Sequence, residues 1–318
     1  RLKRESIAEL IEARDNDRAL CQVGFRRAVF GDHPYGRGAS GRTRTIERIT
    51  GADARGCYAK HFVRGNAVLG FAGDIEADEA QKIGERLLSR LPAGGAVADP
   101  VPPPPPLQGR RLLFVDKAER TQTQILIGGL GTWPRDDDHA ALAVAMSIFG
   151  GTFTSRLMRE VRSKRGWSYG AYARIAIERQ RHAFSLWTFP AATDAAACIE
   201  LELGMLQDLV DKGVTPREVG FIKRYLVRSY AFDVDTAPKR LHQALDVELL
   251  GLPSDYYTGY LERTEAVTPE AANEAVRKRL TAKDLAVVVV GTAGDLVEDI
   301  KKAIPDLAHA EVVPFDWQ

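Results

Sequence analysis

Two side chains in this sequence are of types that could act together on one carbonyl group. Arg162 and Tyr169 stand seven residues apart in the stretch Gly150-Gly151-Thr-Phe-Thr-Ser-Arg156-Leu-Met-Arg-Glu-Val-Arg162-Ser-Lys-Arg165-Gly166-Trp-Ser-Tyr169-Gly170. An arginine near a helix end presents a planar fork of donors that matches carbonyl or carboxylate oxygens. A tyrosine opening a strand can aim its hydroxyl at an oxyanion as a carbonyl becomes tetrahedral. Arg165-Gly166 between them lets the chain turn sharply, which predicts both groups on one rim. Spacing alone favours a plainer reading, a solvated helical arginine and a half-buried strand tyrosine.

Other chemistries find less support. His33, His61, His139, His182, His242 and His309 never fall at i, i+3 or i, i+4 spacing, so no two-histidine metal face can form on a helix. His33 precedes a proline turn and reads as a capping or surface residue. Cys21, Cys57 and Cys198 are odd in number and far apart, which implies neither a disulfide framework nor a zinc knuckle. No serine sits in a G-x-S-x-G setting. Gly291-Thr-Ala-Gly294 after an apolar run is too little for a nucleotide-binding fingerprint. Asp136, Asp137 and Asp138 read as a loop feeding a helix N-terminus, where acids suit the dipole.

The elements that must position Arg162 and Tyr169 follow from composition and pattern. The chain has 318 residues, 45% hydrophobic and 27% charged, enough for two domains of an ordinary globular protein. A net charge of +1 gives no electrostatic reason to expect nucleic acid. No apolar run is long enough for a transmembrane helix. The run Pro-Val-Pro-Pro-Pro-Pro-Pro at 100–106 favours polyproline II and predicts a stiff linker, 98–109, between a front piece, 1–97, and a back piece, 110–318.

The two pieces repeat each other. Shifted by 218, residues 44–74 fall on 262–292: Glu47 on Glu265, Thr50 on Thr268, Ala54 on Ala272, Lys60 on Lys278 and Gly73 on Gly291. Both copies read as a helix opened at threonine, a short link, an apolar strand ending at glycine, then another helix. In that register 108–219 has no counterpart in front, so the front piece reads as the rear half of a domain needing roughly 110 residues before Arg1. In the back piece, 111–117, 121–129, 169–176 and 182–188 read as strands, and 193–211 and 216–231 as long amphipathic helices. Asp138 is placed to cap a helix through Met146, which Gly150-Gly151 should break. Strands in antiparallel pairs followed by helices imply an α+β fold with helices on one sheet face.

The stretch from Gly150 to Gly170 resembles the second-domain signature of the pitrilysin, insulinase and mitochondrial-processing-peptidase family of zinc peptidases. Glu9-Leu10, His33-Pro-Tyr-Gly36, 66–74 and Thr123-Gln124-Ile125 extend the resemblance along most of the chain. The resemblance implies duplicated α+β domains, with Arg162, Tyr169 and the turn Gly150-Gly151 as the substrate-binding residues that hold a peptide across a cleft. It turns the plain reading of that pair into a catalytic and substrate-binding one. The family's zinc motif, H-x-x-E-H, is absent from the sequence. The resemblance therefore implies a chain with no metal of its own, working as a heterodimer with a zinc-bearing homologous subunit, as in bacterial two-chain peptidases of the periplasm. It implies a second arrangement too: if H-x-x-E-H precedes Arg1, Glu9 becomes the third zinc ligand and the chain is catalytic. A third is a non-catalytic core subunit of a larger complex, which needs neither Arg162 nor Tyr169.

Overall fold

The computed structural model describes residues 1–98 and 100–317. Asp99 of the expected linker and Gln318 at the end of the expected second domain lie outside them. The front helices are α1 (Leu2–Glu12), α2 (Asp17–Phe30), α3 (Thr43–Arg48), α4 (Gly51–His61) and α5 (Ala77–Leu88). Behind them come β1 (Arg110–Asp116), β2 (Gln124–Leu130), α6 (His139–Met146), β3 (Ala171–Ile175), β4 (Ala183–Thr188), α7 (Ala195–Lys212) and α8 (Pro216–Ser229). The chain closes with α9 (Ala237–Leu250), α10 (Tyr260–Ala266), α11 (Pro269–Arg279), β5 (Ala286–Gly291), α12 (Ala293–Ala303) and β6 (Leu307–Pro314).

The fold is α+β, as the pattern implied, around one sheet of order β3-β4-β2-β5-β1-β6. The pairs β3–β4, β4–β2 and β2–β5 are antiparallel, whereas β1 runs parallel to both β5 and β6. The apolar run of β5 lies near the middle of the sheet and is buried at every residue, so it reads as continuous rather than alternating. In register, Val289 faces Ile125 and Val287 faces Ile127. With Phe114, Phe149 and Leu186 these residues form the larger core, under α6, α7, α11 and α12.

Helices cover both faces of the sheet, not one. Helix α2, capped by the Asn16 side chain on the Ala19 N–H, lays Leu20, Cys21, Phe25 and Val29 on Leu126, Val288 and Val290. Each fully buried side chain of this kind contributes about 1.5–3 kcal/mol. Its sequence carries only a weak apolar stripe, and its partners lie more than ninety residues away. The proline run is tied to the end of this helix, where the His33 ring meets the Pro102 carbonyl at 2.8 Å. The other His33 nitrogen accepts the Tyr35 N–H at 3.1 Å, the capping role expected of it.

The internal repeat holds for the helices. Thr50 caps α4 through the Asp53 N–H, and Thr268 caps α11 through the Ala271 N–H. It fails at the strand. Residues 68–73, the counterpart of β5, join no ladder, and Val68, Leu69 and Phe71 remain 39–47% exposed. A strand is stabilised by its neighbours, and none of the described strands lies beside this segment. Leu241 of α9 and the α5 helix pack against it instead.

Candidate functional site

The site is built by two widened helical turns and the start of β3. After α6 the chain winds as π-helix over Ser147–Gly151, so Gly150-Gly151 loosens the helix instead of ending it outright. The loop 152–155 follows, and a second π-helical stretch, Met158–Lys164, carries Arg162. π-Helical turns are rare and recur at functional sites because they re-aim side chains. Met158 and Val161 turn into the core and hold the stretch down, leaving Arg162 half-buried at the rim. Gly166, at φ +67°, bonds its N–H to the Arg162 carbonyl and reverses the chain, as the Arg165-Gly166 pair predicted.

Tyr169 is fixed from both sides. The buried Ser168 hydroxyl donates to the Gly170 carbonyl at 2.7 Å and accepts the Phe189 N–H at 3.1 Å. The Ala171 N–H meets the Met158 sulfur at 3.2 Å, tying strand to helix. The backbone is thus held while the tyrosine side chain stands 76% exposed. The Arg162 guanidinium carbon lies 4.3 Å from the Tyr169 ring centre and 4.6 Å from that of Phe153. Arg162 is therefore sandwiched between two aromatic faces, an arrangement in which its flat faces stack and its edge donors stay available. Its side chain makes no hydrogen bond or ion pair among the described residues. Its charged neighbours are committed elsewhere: Lys164 and then Arg165 bond Glu160, holding that carboxyl below the usual range.

The sequence brought Arg162 and Tyr169 together correctly. Phe153 was not singled out, although its place in the same loop was the available signal. Gly150 is buried: a Cβ there would come within 2.4 Å of the Ala173 nitrogen and 2.8 Å of Leu157 Cδ1, so this glycine sets the close approach of helix to β3. Gly151 is exposed next to it. Arg156 turns away and pairs in two-pronged fashion with Glu218, both contacts 2.7 Å. Burial works against the Glu218 charge, yet Arg156 and Thr215 bring its pKa down to about 2.

Below the site lies a buried acid that sequence reasoning missed. Glu202 of α7 meets the Thr188 hydroxyl at 3.3 Å, and its other oxygen has no partner. Burial pushes its pKa up to about 8, so it is protonated at neutral pH. Thr188 pairs with Ala171 at the head of β3, placing this acid under the strand that Tyr169 opens. Cys21 and Cys198 are likewise buried, and burial pushes both thiols up, away from nucleophilic use.

Zinc does not fit the described residues. Glu9 is exposed on α1, and no group of three or more His, Cys, Asp or Glu side chains could hold a metal among them. His139 on α6, caged by Tyr256 at 2.9 Å, is held down at about pKa 4, chiefly by burial. Asp138 caps α6 only through its backbone; its carboxylate pairs with Arg279 and Lys278 of α11. No described helix is long and apolar enough to cross a membrane.

Comparison with known proteins identifies the family. The family described as "Peptidase M16 inactive domain" matches residues 48–226. A "non-peptidase homolog YmxG" of Helicobacter pylori is 23% identical over 292 residues, 91% of this chain and 67% of that protein. An "uncharacterized zinc protease" of Mycobacterium tuberculosis is 26% identical over 315 residues, 98% of this chain and 70% of that one. The crystal structure of a peptidase M16 inactive domain from Pseudomonas fluorescens superposes with a TM-score of 0.83 at 25% identity, covering 92% of this chain and 69% of its own. With the match spanning more than half of its length and both rims of the Arg162–Tyr169 site, this chain belongs to the M16 peptidase family through a domain of the inactive type.

Proposed function

We propose that this chain is the metal-free, substrate-holding partner of a zinc-bearing peptidase subunit of its own family. The observation that carries the proposal is the Arg162 guanidinium, stacked between Phe153 and Tyr169 with no partner for its donors among the described residues. A structural arginine on a rim finds a carboxylate, as Arg156 does. Arg162 instead offers its fork to a peptide carbonyl or carboxylate, and the exposed Tyr169 hydroxyl donates to the oxygen that gains charge as that bond is attacked. All chemistry at the metal belongs to the partner. This chain's residues orient the peptide, exclude water from one side, and supply one hydrogen bond that strengthens toward the transition state.

The test is peptide binding and co-purification. An unfolded fluorescent peptide should bind the pair formed with a zinc-bearing family subunit, and Arg162→Ala should weaken that binding with no change in melting temperature. Equal binding by wild type and variant removes the proposal. A second reading is favoured by the zinc-protease name of the mycobacterial relative, which aligns along nearly all of this chain. In it, Glu9 joins an H-x-x-E-H segment of the same protein. One tightly held zinc per chain in metal analysis would select it.

A further inference from the structure

On the α2 side of the sheet, between that helix and the β3–β4 hairpin, lies a cavity of about 290 Å³. It shares no lining residue with the Arg162–Tyr169 stack. Its walls are apolar, with Phe25 and Leu126 within and Ile175 and Trp187 across from them. Three arginines, Arg18, Arg26 and Arg174, also line it, and no Asp or Glu does. The chain carries 44 basic and 43 acidic residues, so composition does not explain an arginine cluster without an acid.

These charges are unanswered. The Arg26 and Arg174 side chains make no hydrogen bond or ion pair among the described residues, and the Arg18 guanidinium carbon lies 3.8 Å over the Trp187 ring centre. Arg26 Nε is buried without an acceptor, and His182 Nδ1 beside the hairpin wall is buried without a hydrogen-bond partner. Burial above all, with Arg26 and His33 adding to it, holds His182 down at about pKa 4, so its ring is neutral at physiological pH. Other half-buried arginines away from the Arg162 site are matched: Arg156 to Glu218, Arg181 to Asp136, Arg279 to Asp136 and Asp138. A buried donor left unpaired carries a desolvation cost, and native proteins keep few of them. The unpaired Arg26 donor, beside Arg18 and Arg174 in a cavity without an acid in its lining, suits an anionic acceptor.

We propose that this pocket binds a carboxylate carried on a compact apolar or aromatic body. The carboxylate accepts from Arg26 Nε and from the Arg174 fork, with Arg18 closing over it. The body packs on Phe25, Ile175 and Trp187. Its volume suits one ring or one large side chain, at the small end of ligand sites. The ligand is either a free organic acid or the acidic residue of a peptide beside an aromatic one, and the two sources share this chemistry.

Calorimetric titration of the full chain at neutral pH tests it, with 3-phenylpropionate, 3-phenylpropionamide, N-acetyl-phenylalanyl-glutamate amide and inorganic phosphate as probes. At least one of the two carboxylates should bind roughly tenfold or more tighter than the neutral amide, since charge-assisted bonds are the stronger ones. Binding of phenylpropionate identifies a free-acid site, and binding of the dipeptide alone identifies a peptide subsite. Arg26→Gln and the exposed Arg174→Gln should each weaken the preferred probe about tenfold. Melting temperature checks the fold of each variant, and Arg174→Gln keeps the test decisive if Arg26→Gln unfolds. The proposal is overturned if acid and amide bind alike, if phosphate binds as tightly as the carboxylates, if neither carboxylate saturates at millimolar concentration, or if Arg174→Gln changes nothing.

Discussion

Adjacent glycines in the signature stretch should respond oppositely to the same substitution. At Gly150 an alanine Cβ would stand 2.4 Å from the Ala173 nitrogen, 2.5 Å from the Ala173 Cβ and 2.8 Å from Leu157 Cδ1. Two of these neighbours belong to β3, whose ladder to β4 resists displacement. Relief requires the helical turn to lift away from the strand that Tyr169 opens. Overpacking of a close-packed interior costs typically about 1–3 kcal/mol, and a backbone neighbour puts Gly150→Ala at the upper end, about 3 kcal/mol. For a unit of this size that corresponds to a melting temperature lower by roughly 6–12 °C. At Gly151 the nearest atoms are the Ser147 Cβ and Oγ at 3.4 Å, and the residue is exposed with ordinary backbone angles. Gly151→Ala should therefore stabilise by about 0.4–1 kcal/mol, by restricting the unfolded chain. Thermal unfolding of both variants by circular dichroism reads the difference. Equal shifts, or a Gly150→Ala protein that melts like wild type yet loses peptide binding, would refute the packing role and leave Gly150 a substrate contact.

Other outcomes follow from the same geometry. Phe153→Leu removes one face of the arginine sandwich at a 70% exposed position, so stability should hold while peptide binding weakens about two- to fivefold, the worth of one exposed cation–π contact; anisotropy titration reads it. Glu202 keeps its proton in the fold up to about pH 8 but loses it near 4.5 when unfolded, so wild-type stability falls as pH rises through that window. Glu202→Gln should remove that slope, and its advantage in melting temperature should grow from pH 5 to pH 8. Glu218 has the opposite sign: its folded pKa of about 2 lies below 4.5, so its contribution is full above pH 4.5 and is lost as pH falls toward 2. Melting curves of wild type and Glu218→Gln should converge across that acid range.

How much of this was readable in the sequence depends on whether the deciding contact was local. The Thr50 and Thr268 caps, the Gly166 reversal and the meeting of Arg162 with Tyr169 each involve residues within a few turns of one another, and the sequence showed them. The fate of Asp138 was decided by Arg279, more than a hundred residues on, so a carboxylate expected to cap a helix became half of an ion-pair cluster. The role of Gly150 depends on Ala173, and the partnership of α2 with the sheet depends on β2 and β5; neither leaves a local trace. Strand β6 escaped because, as an edge strand, its residues are mostly exposed or half-exposed and mixed in polarity. Residues 68–73 failed in the other direction: an apolar run ending at glycine has the composition of a strand, but composition does not supply a neighbouring strand.

The most direct test of the central claim is the turnover of a quenched fluorescent peptide by this chain reconstituted with a zinc-bearing family subunit, wild type against Tyr169→Phe. The substitution removes one hydroxyl from a 76% exposed side chain whose backbone is pinned by Ser168, so the melting temperature should not move. Loss of one oxyanion donor should lower turnover by about 10²–10³ while peptide binding changes little. Undiminished cleavage by the Tyr169→Phe pair, in a reaction shown to require this chain, would contradict the shared site and leave the chain a scaffold.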